Sequence, residues 1–258
     1  MSTVTLITKI HNNYQRKLVK RNLKSTIKGL KVELKICEVT SRGWIQIDVS
    51  GEDEKVALRH LAREIGLCPT NLENVERFST TRGYLTALNK SDREVYVDIG
   101  VFSPQVVDAA ISLSHMQAQL VDGRKVALRK LIELFGFCEN LPLTIKILGV
   151  DRKKPHVEAM LSEKQISQYR NWTRSLLDRL VVLKGSFYDV KLALKIAECN
   201  RDVVGIETLG LLEYAVVCKL GTDAAGLIPK IGRRLRNASF SVFSPRKILE
   251  FLGEDSMS

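Results

Sequence analysis

The sequence predicts a mixed α+β protein in which a small five-stranded barrel lies between two α/β sandwich modules. Five segments between residues 83 and 161 alternate apolar and polar residues with the period of two that strands require. A series of predicted strands and helices precedes them, and a similar series follows. The 258 residues also exceed the roughly 100–200 that one domain typically holds. We therefore expect modules at residues 1–78, 79–162 and 163–258.

The first module alternates strands and helices in a recognisable order. Its predicted elements are a strand at 4–10, a helix ending near Gly29, a hairpin of strands at 31–39 and 44–49, a helix ending near Gly66 and a strand at 73–78. Asn12 or Asn13 is expected to cap the first helix, because an amide oxygen there accepts from free backbone N–H groups. Strand, helix, strand, strand, helix, strand is the order of a ferredoxin-like sandwich.

Positive charge is concentrated in the first predicted helix. The chain carries a net charge of +11, and residues 1–36 hold nine basic residues against the single acid Glu33. Exposed helices usually mix both signs, whereas cations of one sign neutralise phosphates and release counterions. We therefore favour a nucleic-acid-binding face over an ordinary solvated helix surface. Its predicted residues are Arg16, Lys17, Lys20, Arg21, Lys24 and Lys28.

The central module contains the most informative segment, EVYVDIGV at residues 94–101. The five predicted barrel strands lie at 83–88, 94–101, 108–116, 143–151 and 156–161. An amphipathic helix is predicted at 123–135, between the third and fourth strands. We expect it to cap the barrel, since that buries its apolar face; the alternative is that it contacts a protein partner.

These strands, in this order, resemble the S-one-type RNA-binding version of the OB-fold. The shared features are a leading glycine, the VDIG strand and a closing pair of strands, and they cover about a third of the chain. The resemblance implies an OB-like barrel in which an aromatic side chain on the VDIG strand stacks on a base. Tyr96 holds that position, but Ser112 stands where the family has a histidine. Between the last two strands, Arg152, Lys153 and Lys154 form a basic turn, which we also predict to contact nucleic acid.

The third module repeats the order of the first, which predicts a second ferredoxin-like sandwich. Its predicted elements are a joining helix at 162–177, a strand at 180–183, a helix at 187–197, strands at 203–208 and 211–220, a helix at 222–235 and a strand at 239–243. Pro229 conflicts with the last helix, because proline interrupts helical hydrogen bonding. A helix dipole explains one or two cations near a helix end but not four. Nucleic-acid contact is therefore also predicted for Lys230, Arg233, Arg234 and Arg236.

Several classes of protein are disfavoured by what the sequence lacks. It contains no nucleophile–base motif, phosphate-binding glycine loop or dinucleotide fingerprint, so we expect neither an enzyme nor a cofactor. The cysteines and histidines lack metal-ligand spacing, which argues against a metal site. No apolar run approaches the roughly 18 residues of a membrane span, and the N-terminus lacks signal-peptide character. We expect a cytoplasmic protein with no membrane partner.

The whole chain also resembles an uncharacterised archaeal family, domain of unknown function 2110. The segments that carry this likeness are RGWIQIDVSGEDEKVAL, EVYVDIGVFSP and LFGFCENLPLTIKI. The resemblance implies an archaeal, cytosolic origin and supplies no activity.

The leading functional hypothesis is a non-catalytic protein that binds RNA or a ribonucleoprotein in translation, RNA processing or transcription. The alternative is an adaptor or assembly factor for a ribonucleoprotein or polymerase complex. An enzyme acting on RNA or a phosphorylated metabolite is a third hypothesis, which requires Asp98, Asp108 and His156 to line one pocket.

Overall fold

The N-terminal region forms a three-stranded antiparallel sheet covered on one face by two helices. The computed structural model describes residues 1–253. The strands follow the order β1-β3-β2, and the elements are β1 (Ser2–Lys9), α1 (Asn13–Thr26), β2 (Val32–Val39), β3 (Trp44–Gly51) and α2 (Glu54–Glu64). Asn12 caps α1 by accepting from the Gln15 backbone N–H. The core between helices and sheet contains Ile45, Ile47 and Val49 of β3, which alternate along the strand as its sequence requires.

The predicted strand at 73–78 is wrong. After α2 the chain makes one antiparallel bridge from Leu67 to Leu6 of β1 and then leaves the N-terminal sheet. The next residues form β4 (Thr70–Asn71), which pairs parallel with a barrel strand, followed by a short 3-10 turn. Leu72 and Val75 are buried in the barrel core, and this apolar anchoring explains why the segment joins the central sheet.

The central sheet closes into a five-stranded barrel, as the sequence predicts. Its strands are β5 (Thr80–Thr86), β6 (Glu94–Ser103), β7 (Val107–Ser112), β8 (Pro142–Asp151) and β9 (His156–Leu161). Around the barrel the order is β6-β5-β8-β9-β7, and β7 pairs back to β6. All of these pairs are antiparallel except β7 with β9. Val95, Val97 and Ile99 of β6 point into the core, so the alternate residues Tyr96 and Asp98 point outward.

Two helices, α3 (Leu113–Leu120) and α4 (Leu128–Phe135), lie between β7 and β8. The predicted continuation of the third strand to residue 116 is therefore wrong. Ser112 ends the strand because its hydroxyl accepts from the His115 N–H and caps α3. The predicted helix at 123–135 begins later than expected, at Leu128. Its apolar side is buried in the barrel core, as expected of a helix that caps the barrel.

The C-terminal region is a four-stranded antiparallel sheet in the order β11-β12-β10-β13. Its elements are α5 (Glu163–Arg174), β10 (Arg179–Leu183), α6 (Phe187–Ile196), β11 (Val203–Thr208), β12 (Glu213–Cys218), α7 (Ile228–Ile231), β13 (Ser239–Phe243) and α8 (Pro245–Leu252). The long helix expected at 222–235 is reduced to α7. Pro229 lies in the first turn of α7, where its missing N–H removes no helical hydrogen bond.

The barrel and the C-terminal sheet share one hydrophobic core. Aromatic side chains from α4, α5 and β13 meet there: Phe135 packs edge-on to Tyr169, and Trp172 lies 5.1 Å from Phe243 between ring centroids. Val181 and Leu183 of β10 join the same cluster, whereas Leu180 and Val182 face α6 and α7 on the opposite side of the sheet. The C-terminal sheet is therefore buried on both faces, and α5 is packed between it and the barrel.

Candidate nucleic-acid interface

Five of the six basic residues predicted in the first helix lie on the exposed side of α1, and Lys28 follows just after the helix ends at Thr26. All six are solvent-exposed, and among residues 1–253 none of them forms an ion pair. We call this set the α1 strip; it consists of Arg16, Lys17, Lys20, Arg21, Lys24 and Lys28. Arg16 donates to the Ile36 carbonyl oxygen at 3.3 Å. The first turn of α1 contains no acidic residue, so the positive end of the helix dipole adds to the field of the strip.

The buried side of α1 fixes the direction in which the strip points. Val19 and Leu23 pack into the N-terminal core, four residues apart on one face of the helix. At its N-terminal end, α1 also contacts the C-terminal region. The Tyr14 hydroxyl donates to Asp189 at 2.7 Å, and Gln15 Nε2 donates to the Lys184 carbonyl oxygen at 3.1 Å. The strip is thus held by contacts with two modules.

A groove of about 520 Å³ borders the first turn of α1. It is lined by Asn12, Arg16 and the β2–β3 turn, including Arg42. The groove connects α1 with the barrel, because Arg42 reaches Asp108 on β7, and this ion pair compensates the charge of Arg42.

Tyr96 lies on the outer surface of the barrel and is half-buried. Its hydroxyl donates to Glu94 at 2.7 Å, and the Lys90 ammonium lies 4.4 Å from the centre of its ring. The hydrogen bond to Glu94 raises the pKa of Tyr96, with burial adding to the shift. Glu94 fixes the hydroxyl and Lys90 covers one face of the ring, so less of the ring is open for a base to stack on. Within residues 1–253, the hydroxyl and the ring of Tyr96 meet Glu94 and Lys90, and no residue of the α1 strip forms a hydrogen bond or cation–π contact with it.

The rest of the VDIG strand faces another part of the same chain. Asp98 is only 1% exposed because β1 and β3 cover it. Its carboxylate accepts from Lys9 Nζ at 2.7 Å, from Trp44 Nε1 at 3.2 Å and from the Gly100 N–H at 3.0 Å. Arg42 lies 3.3 Å from the same carboxylate and also pairs with Asp108. We call these residues the interdomain cluster; it consists of Lys9, Arg42, Trp44, Asp98 and Asp108.

Close packing surrounds the interdomain cluster. Lys9 Nζ lies 4.8 Å from the centre of the Trp44 ring and 5.6 Å from that of Tyr84, which are cation–π distances. A side chain at Gly100 would meet the Cys68 sulfur at 2.5 Å, and Gly100 has φ +76. The glycine of VDIG is thus required by contact with the N-terminal module. The outer surface of the barrel around Asp98 and Gly100 is therefore occupied within the chain.

The enzyme hypothesis depends on whether one pocket contains Asp98, Asp108 and His156. The register of β7 and β9 pairs Ala109 with Val157, which places His156 beside Asp108. Asp98, however, is sealed from solvent, and both carboxylates are held in ion pairs by Lys9 and Arg42. In this arrangement the two aspartates have a structural role, because they pair with cations of the N-terminal module.

The remaining predicted cations lie on two other parts of the molecule. Arg152, Lys153 and Lys154 are exposed in the β8–β9 turn, where Arg152 donates to the Glu73 carbonyl oxygen at 3.4 Å. The C-terminal set lies in α7 and the loop that follows it, and all four residues are exposed: Lys230, Arg233, Arg234 and Arg236. Among these predicted groups, the α1 strip is the one that lies mainly along a single helix, with five of its six members on α1.

Sequence reasoning missed Lys9, Arg42 and Trp44 as partners of the barrel. Two of them, Lys9 and Trp44, had a signal in the sequence. Lys9 ends an apolar strand, and Trp44 lies on the face of β3 opposite Ile45. A lone charge in one apolar strand and a lone aspartate in another indicate a buried pair, since an unpaired buried charge is costly.

A second polar site lies where the three modules meet. The Tyr84 hydroxyl of the barrel is near Thr8 of β1 and the Glu213 carboxyl of β12. Burial raises the pKa of Glu213 from its usual 4.5 to about 7, although the Leu212 N–H and Arg82 oppose the shift. A large fraction of the Glu213 carboxyl is therefore protonated near neutral pH.

Two further findings concern metals and membranes. Among residues 1–253, no group of three His, Cys, Asp or Glu side chains is arranged to hold a metal ion. In the same part of the chain, every helix is too short or too polar to cross a bilayer.

Family models match three consecutive parts of the chain. The DUF2110 N-terminal domain matches residues 3–70, the DUF2110 central domain matches residues 75–173, and the DUF2110 C-terminal domain matches residues 177–243. The chain belongs to the DUF2110 family. Its barrel and α5 both fall within the central DUF2110 domain. A search of curated proteins finds no match to this DUF2110 chain.

Two solved structures resemble parts of this DUF2110 protein. The a/eIF2alpha-aDim2p-rRNA complex from Pyrococcus horikoshii OT3 aligns with a TM-score of 0.27 and 11% identity, over 48% of this chain and 64% of that chain. The intact alpha subunit of aIF2 from Pyrococcus abyssi aligns with a TM-score of 0.26 and 9% identity, over 66% of this chain and 96% of that chain. The chain thus spans under two thirds of the first structure's length. TM-scores this low carry no argument about function.

Proposed function

We propose that this DUF2110 protein binds RNA without catalysing a reaction, and that the α1 strip is its main contact with the phosphate backbone. The single observation that carries the proposal is the absence of ion pairs at all six exposed strip cations within residues 1–253. Cations that no internal carboxylate neutralises keep their charge available for an external polyanion.

The fold supports this proposal through its topology. We infer an OB-like, S-one-type barrel, because its strands close in the order β6-β5-β8-β9-β7 with helices between β7 and β8. We also infer a ferredoxin-like C-terminal module, since the order β11-β12-β10-β13 follows from a strand-helix-strand-strand-helix-strand sequence. The N-terminal module has the same order, with only the Leu6–Leu67 bridge in place of a fourth strand. The proposed setting is an archaeal cytosol, in translation, RNA processing or transcription.

The other predicted residues contribute less in this proposal. Tyr96 stacks on a base at the barrel surface after Lys90 moves from its ring. The exposed turn of Arg152, Lys153 and Lys154 and the exposed set of Lys230, Arg233, Arg234 and Arg236 add phosphate contacts for an RNA that extends beyond α1.

The proposal is tested by titrating a fluorescent structured RNA with the full-length protein at several salt concentrations. We expect affinity to fall as salt rises, because each phosphate contact releases counterions. Affinity that is independent of salt would rule out phosphate contacts. The double variant Lys17→Glu/Arg21→Glu should bind about tenfold more weakly or worse, since it reverses two adjacent contacts.

A matched control is available on the other helix of the same module. Lys55 and Arg59 are exposed on α2 with the same four-residue spacing as Lys17 and Arg21. Lys55→Glu/Arg59→Glu changes net charge by the same amount, so it reports the effect of total charge alone. Equal losses in both double variants would contradict a binding role specific to α1.

One observation favours the adaptor hypothesis as a second candidate. Tyr188, Leu192 and Ile196 form an exposed apolar stripe on α6, with exposed fractions of 70%, 38% and 44%. Such a stripe is typical of protein contact surfaces. The apolar side of α4 is buried, so a partner at that helix would meet its polar side. Protein partners that stay bound after nuclease treatment, and that Leu192→Glu releases, would favour the adaptor role.

A further inference from the structure

A pocket of about 520 Å³ lies between the barrel, α5 and the C-terminal sheet. Its volume is within the roughly 300–1,000 Å³ of small-molecule sites. The barrel contributes Arg82 and Thr144, α5 contributes Lys164 and its polar side, and the C-terminal sheet contributes Glu207. We call it the α5 pocket. None of the predicted binding residues lines it.

The charge in the α5 pocket is unbalanced. Glu207 is its one acidic residue, and both carboxylate oxygens are engaged: Oε2 accepts from Trp172 Nε1 at 2.8 Å and Oε1 lies 3.4 Å from Arg179. Arg179 thus offsets the charge of Glu207. The guanidinium of Arg82 and the ammonium of Lys164 have no hydrogen bond or ion pair within the described residues. Two cations that form no ion pair within the described residues, in one concavity, favour an anionic ligand.

Arg179 is a fixed wall of this pocket. It is 4% exposed, and its guanidinium donates to the carbonyl oxygens of Leu177 at 2.8 Å and Trp172 at 3.3 Å. It also lies 4.9 Å from the centre of the Trp172 ring. These contacts hold the end of α5 against β10, so the pocket has a preformed wall.

The polar side of α5 offers groups suited to a planar heterocycle. Gln165 Oε1 accepts from the Thr144 N–H at 2.9 Å, and Gln165 Nε2 donates to the side-chain oxygen Oε1 of Gln168 at 3.0 Å. These two hydrogen bonds orient the Gln168 side chain and leave the amide N–H groups of Gln168 as donors. Asn171, one helical turn further on, is exposed and presents both a donor and an acceptor.

We propose that the α5 pocket binds a nucleotide phosphate, with Arg82 and Lys164 contacting the phosphate oxygens and Gln168 and Asn171 facing the base. A guanidinium donates two parallel hydrogen bonds to a phosphate, and an ammonium provides a second, mobile contact. The pocket is much larger than a phosphate group, which leaves room for the nucleoside. The ligand comes from one of two sources: a free nucleotide or the phosphorylated end of an RNA.

Binding is measured on the full-length protein by calorimetry, with adenosine 5'-monophosphate, adenosine and inorganic phosphate as probes. The same measurement uses a short RNA with and without a 5'-phosphate. We expect adenosine 5'-monophosphate to bind more tightly than adenosine. The variants Arg82→Gln and Lys164→Gln should each weaken that binding about tenfold, since each removes a charged hydrogen bond. Within residues 1–253 neither side chain forms a hydrogen bond or an ion pair, so thermal melting should show that both variants fold.

The RNA arm separates the two sources. If the ligand is an RNA end, the 5'-phosphate should tighten RNA binding at least about tenfold in the native protein and about tenfold less in Arg82→Gln, where Lys164 alone contacts it. If the ligand is a free nucleotide, Arg82→Gln should weaken binding of the mononucleotide but not binding of the RNA through its 5'-phosphate. The inference is overturned if the phosphate group improves binding of neither probe, or if both variants bind like the native protein. Lys17→Glu/Arg21→Glu should leave mononucleotide binding unchanged, so this result and the test of the α1 strip are independent.

Discussion

The α1 strip and the interdomain cluster use the same residue types in opposite ways. Arg and Lys of the strip are exposed and have no ion pair within residues 1–253, whereas Lys9 and Arg42 of the cluster hold the carboxylates of Asp98 and Asp108. Burial decides the difference. A cation in water costs little to leave unpaired, but one that is 7% exposed, like the Lys9 side chain, requires a partner. The cluster joins two modules, and the strip remains available for an external anion.

The largest expected effect comes from removing the acid at the centre of the cluster. Asp98→Ala leaves Lys9 buried without its closest acceptor, and breaking a buried ion pair costs about 3–5 kcal/mol. The free energy of unfolding, measured by urea denaturation, should fall by that amount. Lys24→Ala in the strip is the matched control and should change it by less than about 0.5 kcal/mol. A stable Asp98→Ala protein would show that the cluster contributes little to joining the modules.

Glu213 provides a pH-dependent version of the same comparison, because it is buried without a cation in contact. Its pKa is raised from 4.5 to about 7, so the folded protein holds a proton that the unfolded chain releases. Native stability from this group therefore declines as pH rises from 4.5 to 7, and the full penalty applies above 7. Glu213→Gln should stabilise the protein by roughly 3 kcal/mol at pH 8 and by little at pH 4. Parallel stability–pH curves for the two proteins would contradict this account.

Neutralising the strip should alter binding and leave stability unchanged. With Lys17, Arg21, Lys24 and Lys28 replaced by Gln, the slope of log affinity against log salt should decrease by about 3 to 4. The free energy of unfolding should stay within about 0.5 kcal/mol, because the side chains are exposed and unpaired. A large loss of stability would mean that these cations have a structural role like that of Lys9.

The smallest effect is expected at the barrel surface beside the cluster. Tyr96→Leu should weaken binding of single-stranded RNA by about 1 kcal/mol, or roughly fivefold, at the low end for one base stack. In the free protein the Lys90 ammonium lies over the Tyr96 ring and the Glu94 carboxylate accepts from its hydroxyl, so a base must displace the lysine before it can stack. Polarisation with a short fluorescent RNA measures the change. A loss larger than that of the α1 variants would make the barrel the main binding surface.

Local patterns in the sequence determined most of the elements and the α1 strip. Alternation predicted the five barrel strands, and the one-signed spacing from Lys17 to Lys28 predicted the exposed cations of α1, although Lys28 lies just beyond the end of the helix. Such patterns are readable because an exposed face depends only on the period of its own helix or strand. The errors lie where distant groups intervene, as at residues 73–78, which turn away because Leu72 and Val75 enter the barrel core.

Only the tertiary structure decided which face of the barrel is free. The sequence placed Tyr96 and Asp98 on the same outer side of β6. It did not show that Lys9, Arg42 and Trp44 cover the aspartate. The α5 pocket likewise combines Arg82, Lys164 and Glu207, which come from three parts of the chain. Pairing of charges depends on distances between modules, and no local period in a sequence encodes those distances.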